Sequence, residues 1–246
     1  MATAAAKLEA ADGSVATLKP GSPTEIVEGA AANERNERST LLAGLLAPTP
    51  RISQVYLYDA RGSELYEEIV RAPEYYLPDT ESLLLAAHAT EIVAPSTAAP
   101  LASQAVIELG AGAGERTLAL LRAALPLADA TAYVPVDVSA AALDACAAST
   151  RAALAGAARP PRVAPLVGRF EEKLPEAARV ADGPRLFLFL GSSLGNYDDA
   201  EIGAIFRLVR ACMRDGGGSG DRFVIGVDTP HSPRKPARVI HAAYND

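Results

Sequence analysis

The sequence is poor in several features, and each scarcity excludes a class of protein. Its 246 residues include only two cysteines, Cys146 and Cys212, which lie far apart and form no C-x-x-C pair. We therefore expect no cysteine-based metal site, and we interpret both residues as buried thiols of a reducing compartment, which favours a cytoplasmic location. The longest strongly apolar run, 186–190, is far shorter than the roughly 20 residues that cross a bilayer, so no membrane span is expected.

Positive charge is also scarce. Lysine and arginine total 23 against 30 aspartates and glutamates, which gives a net charge of −7. Without a basic face, neither nucleic acid nor an anionic membrane is an expected partner, and a small molecule is favoured. The first residues carry Glu9 and Asp12 and have no apolar signal core, so we predict a disordered, alanine-rich tail over 1–35 rather than a secretory signal.

Apolar sequence, in contrast, is plentiful. Hydrophobic residues make up 49% of the chain, enough for one large α/β domain with a sizeable core. Before that domain, the sequence predicts a helical N-terminal segment over 36–100. We place its helices at 39–47, 62–70 and 80–94.

From 101 to 230, short apolar runs alternate with helical patterns, which is typical of βαβ units. The strand runs are apolar nearly throughout, as expected for parallel strands covered on both faces. The sequence therefore predicts a doubly wound, mostly parallel sheet that binds its ligands beyond the carboxyl ends of the strands. The predicted strands are 105–109, 131–138, 162–168, 185–190 and 222–228; the predicted helices are 114–125, 139–156 and 199–213, with Ser139 and Asp198 or Asp199 as N-caps.

A glycine-rich segment, VIELGAGAGERT (106–117), joins the first strand of this sheet to the next helix. Its glycines allow a ligand to approach the backbone closely. The third glycine comes one position earlier than in the dinucleotide pattern G-x-G-x-x-G, which disfavours an NAD-linked dehydrogenase. A turn without a ligand is the alternative, but the strand–loop–helix context favours a nucleoside-type site at Gly110 and Gly112.

Two carboxylates accompany this loop. Asp137 ends the second strand, where it can accept hydrogen bonds from both ribose hydroxyls; the alternative is a cap for the next helix, a role that Ser139 already fills. Glu108 lies inside the first strand and would be costly to bury unpaired. A bound ammonium group or an ion pair within the protein would each reduce that cost.

A polar loop, 191–197, follows the fourth strand at the same edge of the sheet. Asn196 offers both a carbonyl acceptor and an amide donor, which suits it to hold an amine; an Asx-turn or a helix cap is an equal alternative. Five of the eight tyrosines fall between residues 56 and 76, Tyr58 and Tyr75 among them. Such a cluster either packs or covers a substrate site, and composition does not decide between these.

Four motifs in one order carry a family resemblance over roughly residues 55 to 246. They resemble the histidine-specific N,N,N-trimethyltransferases of ergothioneine biosynthesis, whose more distant relatives act on prenylated tryptophan. The resemblance implies a class I, Rossmann-like fold, S-adenosyl-L-methionine as cofactor and the α-amino group of histidine as methyl acceptor. It also implies a fused or separate sulfoxide-forming partner in the same pathway. The motifs are YDARGSELYEEIVRAPEYYLPDTE, VIELGAGAGERT, PVDVS and FLGSSLGNY.

The resemblance also assigns site residues. For the substrate it implies Tyr58, Tyr75, Asn196 and Tyr244, of which Asn196 and Tyr58 would serve catalysis. For the cofactor it implies Gly110, Gly112, Arg116, Asp137, Arg169 and Phe170.

Several positions depart from the family pattern. Arg116 stands where lysine is common, and arginine keeps the charge but changes its geometry. Arg169 replaces a usual aspartate before Phe170, so an acceptor for the adenine amino group is lost. Asp79 replaces a frequent arginine, with no effect that the sequence explains.

The length of the chain departs as well. The chain stops at Asp246, where family members continue, so we expect a truncated chain in which 231–246 begin a substrate domain and the last strands are missing. Two alternatives stay open: an N-methyltransferase of a tryptophan-derived substrate, and a non-catalytic cofactor-binding protein.

Overall fold

A computed structural model describes residues 7–9, 15–17, 38–57, 60–95, 101–180, 182–214, 220–229 and 239. The chain divides into two compact units, Met1–Tyr56 and Leu57–Asp246. In the first unit, β1 (Lys7–Glu9) pairs antiparallel with β2 (Val15–Thr17), and helix α1 spans 38–45. The tail predicted to be disordered over 1–35 thus contains one short strand pair, and its other residues lie outside the described ones.

The second unit contains a parallel sheet whose strands are added first on one side of a central strand and then on the other. Its first strand, β3, lies in the middle; the chain adds β4 and then β5 and β6 on one side, and crosses to add β7 and β8 on the other. Every pair of neighbours is parallel, and this order confirms the predicted doubly wound fold. The strands are β3 (Leu101–Leu109), β4 (Ala128–Asp137), β5 (Arg162–Val163), β6 (Leu166–Val167), β7 (Arg185–Phe189) and β8 (Arg222–Ile225).

The third predicted strand, 162–168, is wrong as a single element. It forms two short pieces that both pair with β4, because Pro165 between them has no N–H to donate to the ladder. Backbone hydrogen bonds on either side, Ala164 N to Tyr133 O and Gly168 N to Asp137 O, keep both pieces in register.

Helices cover the sheet and precede it. Ser139 caps α5 by accepting a hydrogen bond from Ala142 N, and Asp198 caps α7 in a capping box with Glu201, so both predicted caps are confirmed. Helix α6 was not predicted; it has only eight residues and contains Pro175. The helices are α2 (Ala60–Val70), α3 (Leu77–Val93), α4 (Leu118–Ala124), α5 (Ala140–Leu154), α6 (Phe170–Ala177) and α7 (Asp199–Cys212). Short 3₁₀ helices span Gln54–Leu57, Leu125–Leu127 and Ser193–Asn196.

Two apolar clusters, one on each face of the sheet, form the core. Consecutive residues of β3 alternate between them: Val106 belongs to the cluster with α3 and α4, and Ile107 to the cluster with α6 and α7. Ile107 is fully buried, as is Phe187 beside it on β7. Covering both faces leaves the two ends of the sheet as the places where ligands reach the strands.

A buried ion pair stabilises the amino end of β7. The Arg185 guanidinium donates to Asp221 from Nε and Nη2, at 3.0 and 2.5 Å, and to the Ala178 carbonyl from Nη1 at 2.7 Å. Asp221 also accepts from the backbone N–H groups of Arg185 and Arg214. The side chains of Arg185 and Asp221 are only 6% and 1% exposed. This pair holds β7 to the segment that leads into β8, at the end of the sheet opposite the glycine-rich loop.

Asp221→Ala is expected to lower the free energy of unfolding by about 3 to 5 kcal/mol, because it leaves the Arg185 charge buried without a partner. Urea denaturation would measure the loss. The matched control is Asp129→Ala, whose ion pair with Arg159 is 72% and 58% exposed and should matter much less. Equal losses in the two variants would contradict this account.

Candidate active site

The glycine-rich loop between β3 and α4 has left-handed backbone at three positions. Gly110, Gly112 and Gly114 have φ of +66°, +53° and +71°, a region that residues with a Cβ rarely adopt. Among the residues that the structure describes, a Cβ at Gly110 or Gly112 would meet no atom within 4 Å, whereas one at Gly114 would lie 2.3 Å from Cys146 Sγ. The first two glycines thus leave an open backbone face, and the third allows the loop to pack on α5.

This loop also explains why α4 begins at Leu118 rather than at the predicted residue 114. The left-handed Gly114 turns the chain, and the next residues form a turn before the helix starts. The N–H groups of Gly110 and Ala111 both donate to Val136 O, at 2.8 and 3.1 Å. The loop is therefore fixed to the end of β4.

Asp137, at the carboxyl end of β4, strengthens that attachment. One carboxylate oxygen accepts from Gly112 N and the other from Ser139 N, each at 2.9 Å. A carboxylate has about four lone-pair positions, so each oxygen keeps one for a further donor such as a ribose hydroxyl. Because Ser139 caps α5 with its own hydroxyl, Asp137 is not needed as the cap. Asp137 lies in the position expected of a residue that binds a ribose.

Glu108 is buried beneath the loop, with 4% of its surface exposed. Its carboxylate accepts from Thr117 Oγ1 at 2.7 Å and from the Tyr133 hydroxyl at 2.5 Å, so two hydroxyls solvate it where the sequence predicted a cation. Burial raises the pKa of Glu108 to about 7, although both hydroxyl hydrogen bonds oppose that rise. A buried carboxyl group near the end of β3 is therefore close to half-protonated at neutral pH.

Arg116 lies where the loop meets the preceding helices. Its Nη1 forms an ion pair with Glu81 of α3 at 3.0 Å, and its Nη2 is 3.4 Å from the Tyr66 hydroxyl of α2. Glu81 in turn accepts from Gly191 N, at 2.9 Å to one carboxylate oxygen and 3.0 Å to the other. Glu81 was not predicted as a site residue, and nothing near it in the sequence marks it as one. The glycines close to it in space are Gly226, directly after β8, and Gly191, two residues after the end of β7.

The loop after β7 presents Asn196 at its surface. Ser192 has φ of +56°, and the following 3₁₀ helix, Ser193–Asn196, ends at the exposed Asn196. Asp198 caps α7, so Asn196 is not the helix cap that was its alternative role. Within the described part of the chain, the Asn196 side chain makes no hydrogen bond. Its amide is therefore exposed at this edge, and its contact with a ligand stays a prediction.

The two residues predicted beside the adenine differ in environment. Arg169 is 43% exposed and pairs with Glu171 at 3.3 Å, so its charge is directed along α6. The Phe170 ring packs against Phe189 and Tyr197, with centroids 5.6 and 6.4 Å away. Phe170 therefore supports the loop that carries Asn196, and its contact with a cofactor stays a prediction.

The remaining predicted site residues are tyrosines. Tyr75 is half-buried just before α3, and its neighbour Tyr76 donates from its hydroxyl to Asp228 Oδ2 at 2.6 Å. Tyr58 and Tyr244 lie outside the described residues. In the described ranges no group of three or more His, Cys, Asp or Glu residues could hold a metal ion, and no helix is long and apolar enough to span a membrane.

The doubly wound sheet, the open glycine faces and Asp137 together define a domain of the class that binds a nucleoside-type cofactor at the carboxyl edge of its sheet. Residues 37–246 match the sequence profile of a family described as histidine-specific methyltransferase, SAM-dependent. The chain belongs to this family of histidine-specific, S-adenosylmethionine-dependent methyltransferases. Its predicted membership and cofactor are thereby confirmed.

Individual relatives agree with this family. A histidine N-alpha-methyltransferase of Mycobacterium tuberculosis is 32% identical over 209 residues, covering 85% of this chain and 59% of the relative. An ergothioneine biosynthesis protein 1 of Neurospora crassa is 30% identical over 203 residues, covering 80% of this chain and 21% of that protein. Among solved structures, the magnesium protoporphyrin IX methyltransferase of Synechocystis with bound SAM aligns with 64% of this chain and 68% of its own, at 12% identity and a TM-score of 0.42. The chain thus spans little more than half the length of the mycobacterial relative it matches.

Substitutions in the glycine loop should separate ligand access from packing. Gly110→Ala is expected to abolish S-adenosylhomocysteine binding while costing only about 1 kcal/mol of stability, because its Cβ enters open space at positive φ. Gly114→Ala should cost considerably more, because its Cβ collides with Cys146. Titration calorimetry and thermal denaturation would measure both quantities. Gly156→Ala, which meets no atom and has no positive φ, is the control and should change neither. Normal binding by Gly110→Ala would refute the open-face assignment.

Glu108 should also give the fold a pH dependence. Its pKa rises from 4.5 to about 7 on folding, so the folded state binds this proton more tightly than the unfolded state. The resulting stabilisation is complete below pH 4.5 and is lost as the pH rises through 7, a change of roughly 3 kcal/mol. Urea denaturation at a series of pH values should show this loss in the wild type and not in Glu108→Gln, which stays neutral. Parallel profiles for the two proteins would show that Glu108 does not titrate in this window.

Proposed function

We propose that this chain provides the cofactor site and part of the substrate site of an N-methyltransferase that trimethylates the α-amino group of L-histidine, in ergothioneine biosynthesis. One observation carries the proposal. The open glycine faces after β3 and the Asn196 loop after β7 follow strands that are direct neighbours in the sheet. The crossover between those two strands is where a doubly wound sheet binds its ligand, so cofactor and acceptor would meet there.

The residues present fit S-adenosylmethionine. Gly110 and Gly112 leave backbone open to close approach, and Asp137 keeps a lone-pair position on each oxygen for the ribose hydroxyls. Arg116 has five N–H donors, and its ion pair with Glu81 leaves donors for the carboxylate of the methionine part. When bound, the cofactor supplies an electrophilic methyl group on a positively charged sulfur.

The protein would contribute mainly by positioning the acceptor. A protonated ammonium group has no lone pair, so the site must favour the neutral amine, which the Asn196 carbonyl can orient by accepting an N–H. Two acidic residues hydrogen-bonded to this loop, Glu81 and Asp228, already accept hydrogen bonds from Arg116 and Tyr76. We therefore assign neither of them the role of a base, and water would take the released proton.

The finer assignments belong to this proposal. They include Tyr58, Tyr75 and Tyr244 at the substrate, a covering role for 36–100, a substrate domain beginning at 231–246, a cytoplasmic location and a sulfoxide-forming pathway partner. The strand-end location of Asn196 and the half-buried position of Tyr75 support the substrate assignments.

A non-catalytic cofactor-binding protein is the second candidate. Arg169 favours it, since its side chain pairs with Glu171 and offers no acceptor to an adenine amino group. A tryptophan-derived acceptor is the alternative within the enzyme hypothesis, because the same edge could hold another amino acid by its amine.

Methyl transfer from isotopically labelled S-adenosylmethionine tests the proposal, with histidine and tryptophan supplied in separate reactions. Label is expected on histidine.

Asn196→Ala should lower kcat roughly 100-fold with little effect on S-adenosylhomocysteine binding, because it misplaces the amine and leaves the cofactor site intact. Asp137→Ala should weaken cofactor binding itself.

Asp129→Asn, an exposed change at the opposite end of β4, serves as the control and should leave both quantities unchanged. Label on tryptophan alone would replace the proposed substrate. Cofactor binding without transfer to either amino acid would favour the non-catalytic candidate.

A further inference from the structure

The carboxylate of Glu81 joins three elements at the carboxyl edge of the sheet. It lies in the first turns of α3, forms the ion pair with Arg116 just before α4, and accepts the Gly191 N–H just after β7. The Glu81 side chain is 13% exposed and that of Arg116 is 26% exposed. The pair is therefore less screened by water than an ordinary surface ion pair.

Two glycines make room for this carboxylate. A Cβ at Gly226, directly after β8, would lie 1.9 Å from Glu81 Oε1, and a Cβ at Gly191 would lie 3.0 Å from Arg116 Nη1. Gly226 N also donates to Phe189 O, which keeps the ends of β7 and β8 together. The ends of two neighbouring strands thus leave room for Glu81 and its arginine, and a larger residue at Gly226 would displace the Glu81 carboxylate.

Glu81 consequently touches both halves of the proposed site. Arg116 belongs to the cofactor half, and Gly191 begins the 191–197 loop that carries Asn196. Both carboxylate oxygens accept the Gly191 N–H, so a shift of the carboxylate towards or away from Arg116 also moves the first amide of the loop. If the cofactor carboxylate also bound the Arg116 guanidinium, the strength of the ion pair between Arg116 and Glu81 would change.

We propose that Glu81 is a positioning residue that couples cofactor binding at Arg116 to ordering of the 191–197 loop. The inference rests on the proposed function for the location of the cofactor. Since coupling between two binding sites is reciprocal, an acceptor that orders the loop would strengthen cofactor binding by the same factor.

Amide hydrogen exchange of the 191–197 loop tests this coupling, with and without saturating S-adenosylhomocysteine, in the wild type and in Glu81→Gln. Glutamine keeps the length of the side chain and one acceptor for Gly191 but loses the charge that holds Arg116. In the wild type, the ligand should slow exchange in the loop about tenfold. In Glu81→Gln the slowing should fall below twofold, even when calorimetry shows that the site is full.

Two further variants separate coupling from stability. Gln104→Leu removes buried hydrogen bonds to Ala124 O and Thr131 Oγ1 in the amino-terminal half of β3. It should therefore lower stability without changing the carboxyl edge of the sheet. It should keep the full ligand-dependent slowing. Arg116→Gln should behave like Glu81→Gln, and the double variant should lose no more coupling than either single one.

The possible failures are distinguishable. If the wild type binds S-adenosylhomocysteine but the ligand protects the loop equally in the wild type and in Glu81→Gln, the inference is overturned. The proposed function is unaffected by that result. The same holds if Gln104→Leu abolishes the slowing as well, since the effect would then report stability alone. Wild-type protein that does not bind the ligand would overturn the cofactor assignment and the inference together.

Discussion

The site depends on one constraint: the chain must leave β3, the central strand, through a loop whose backbone stays open to a ligand and yet is held firmly. Left-handed glycines meet the first requirement, and the second is met by Val136 O and Asp137, which together accept three N–H groups from the loop. Because β4 pairs with β3 along its whole length, the end of β4 is always beside that loop. The geometry of the candidate cofactor site is therefore a property of the sheet rather than of a flexible loop.

Much of this arrangement could be predicted from the sequence. Apolar strand runs, the glycine spacing and the caps Ser139 and Asp198 are local signals. They correctly predicted the presence of β3, β4, β7 and β8, the loop after β3 and the caps of α5 and α7. Local signals also set the limits of the prediction. The start of α4 was misplaced because the left-handed Gly114 delays the helix, and the 162–168 strand was predicted whole although Pro165 interrupts its hydrogen bonds.

The contacts between distant elements could not be predicted in this way. Glu81 is 110 positions from Gly191 and 35 from Arg116, and nothing near it in the sequence distinguishes it from any acidic residue near the start of a helix. Likewise, the hydroxyl partners of Glu108 come from β4 and from the turn before α4. Thr117 ends the glycine-rich segment, but neither that segment nor the sequence around Tyr133 marks these hydroxyls as partners of Glu108. Their roles follow only from the fold that brings them together.

The central position of β3 has a consequence for the order in which this molecule can assemble. The strand pairs with β4 within about 30 residues, but its second partner, β7, is 80 positions away, since Ala105 faces Arg185. During synthesis, β3 and its glycine loop can therefore acquire one neighbour early and must wait for the other, with one edge of the strand unpaired in the meantime. Contacts of such long sequence separation form slowly, so β7 and the 191–197 loop after it join β3 later than β4 does. A ribosome-bound intermediate would already hold the glycine-rich loop against Val136 and Asp137, before β7, the strand that precedes Asn196, has joined the sheet.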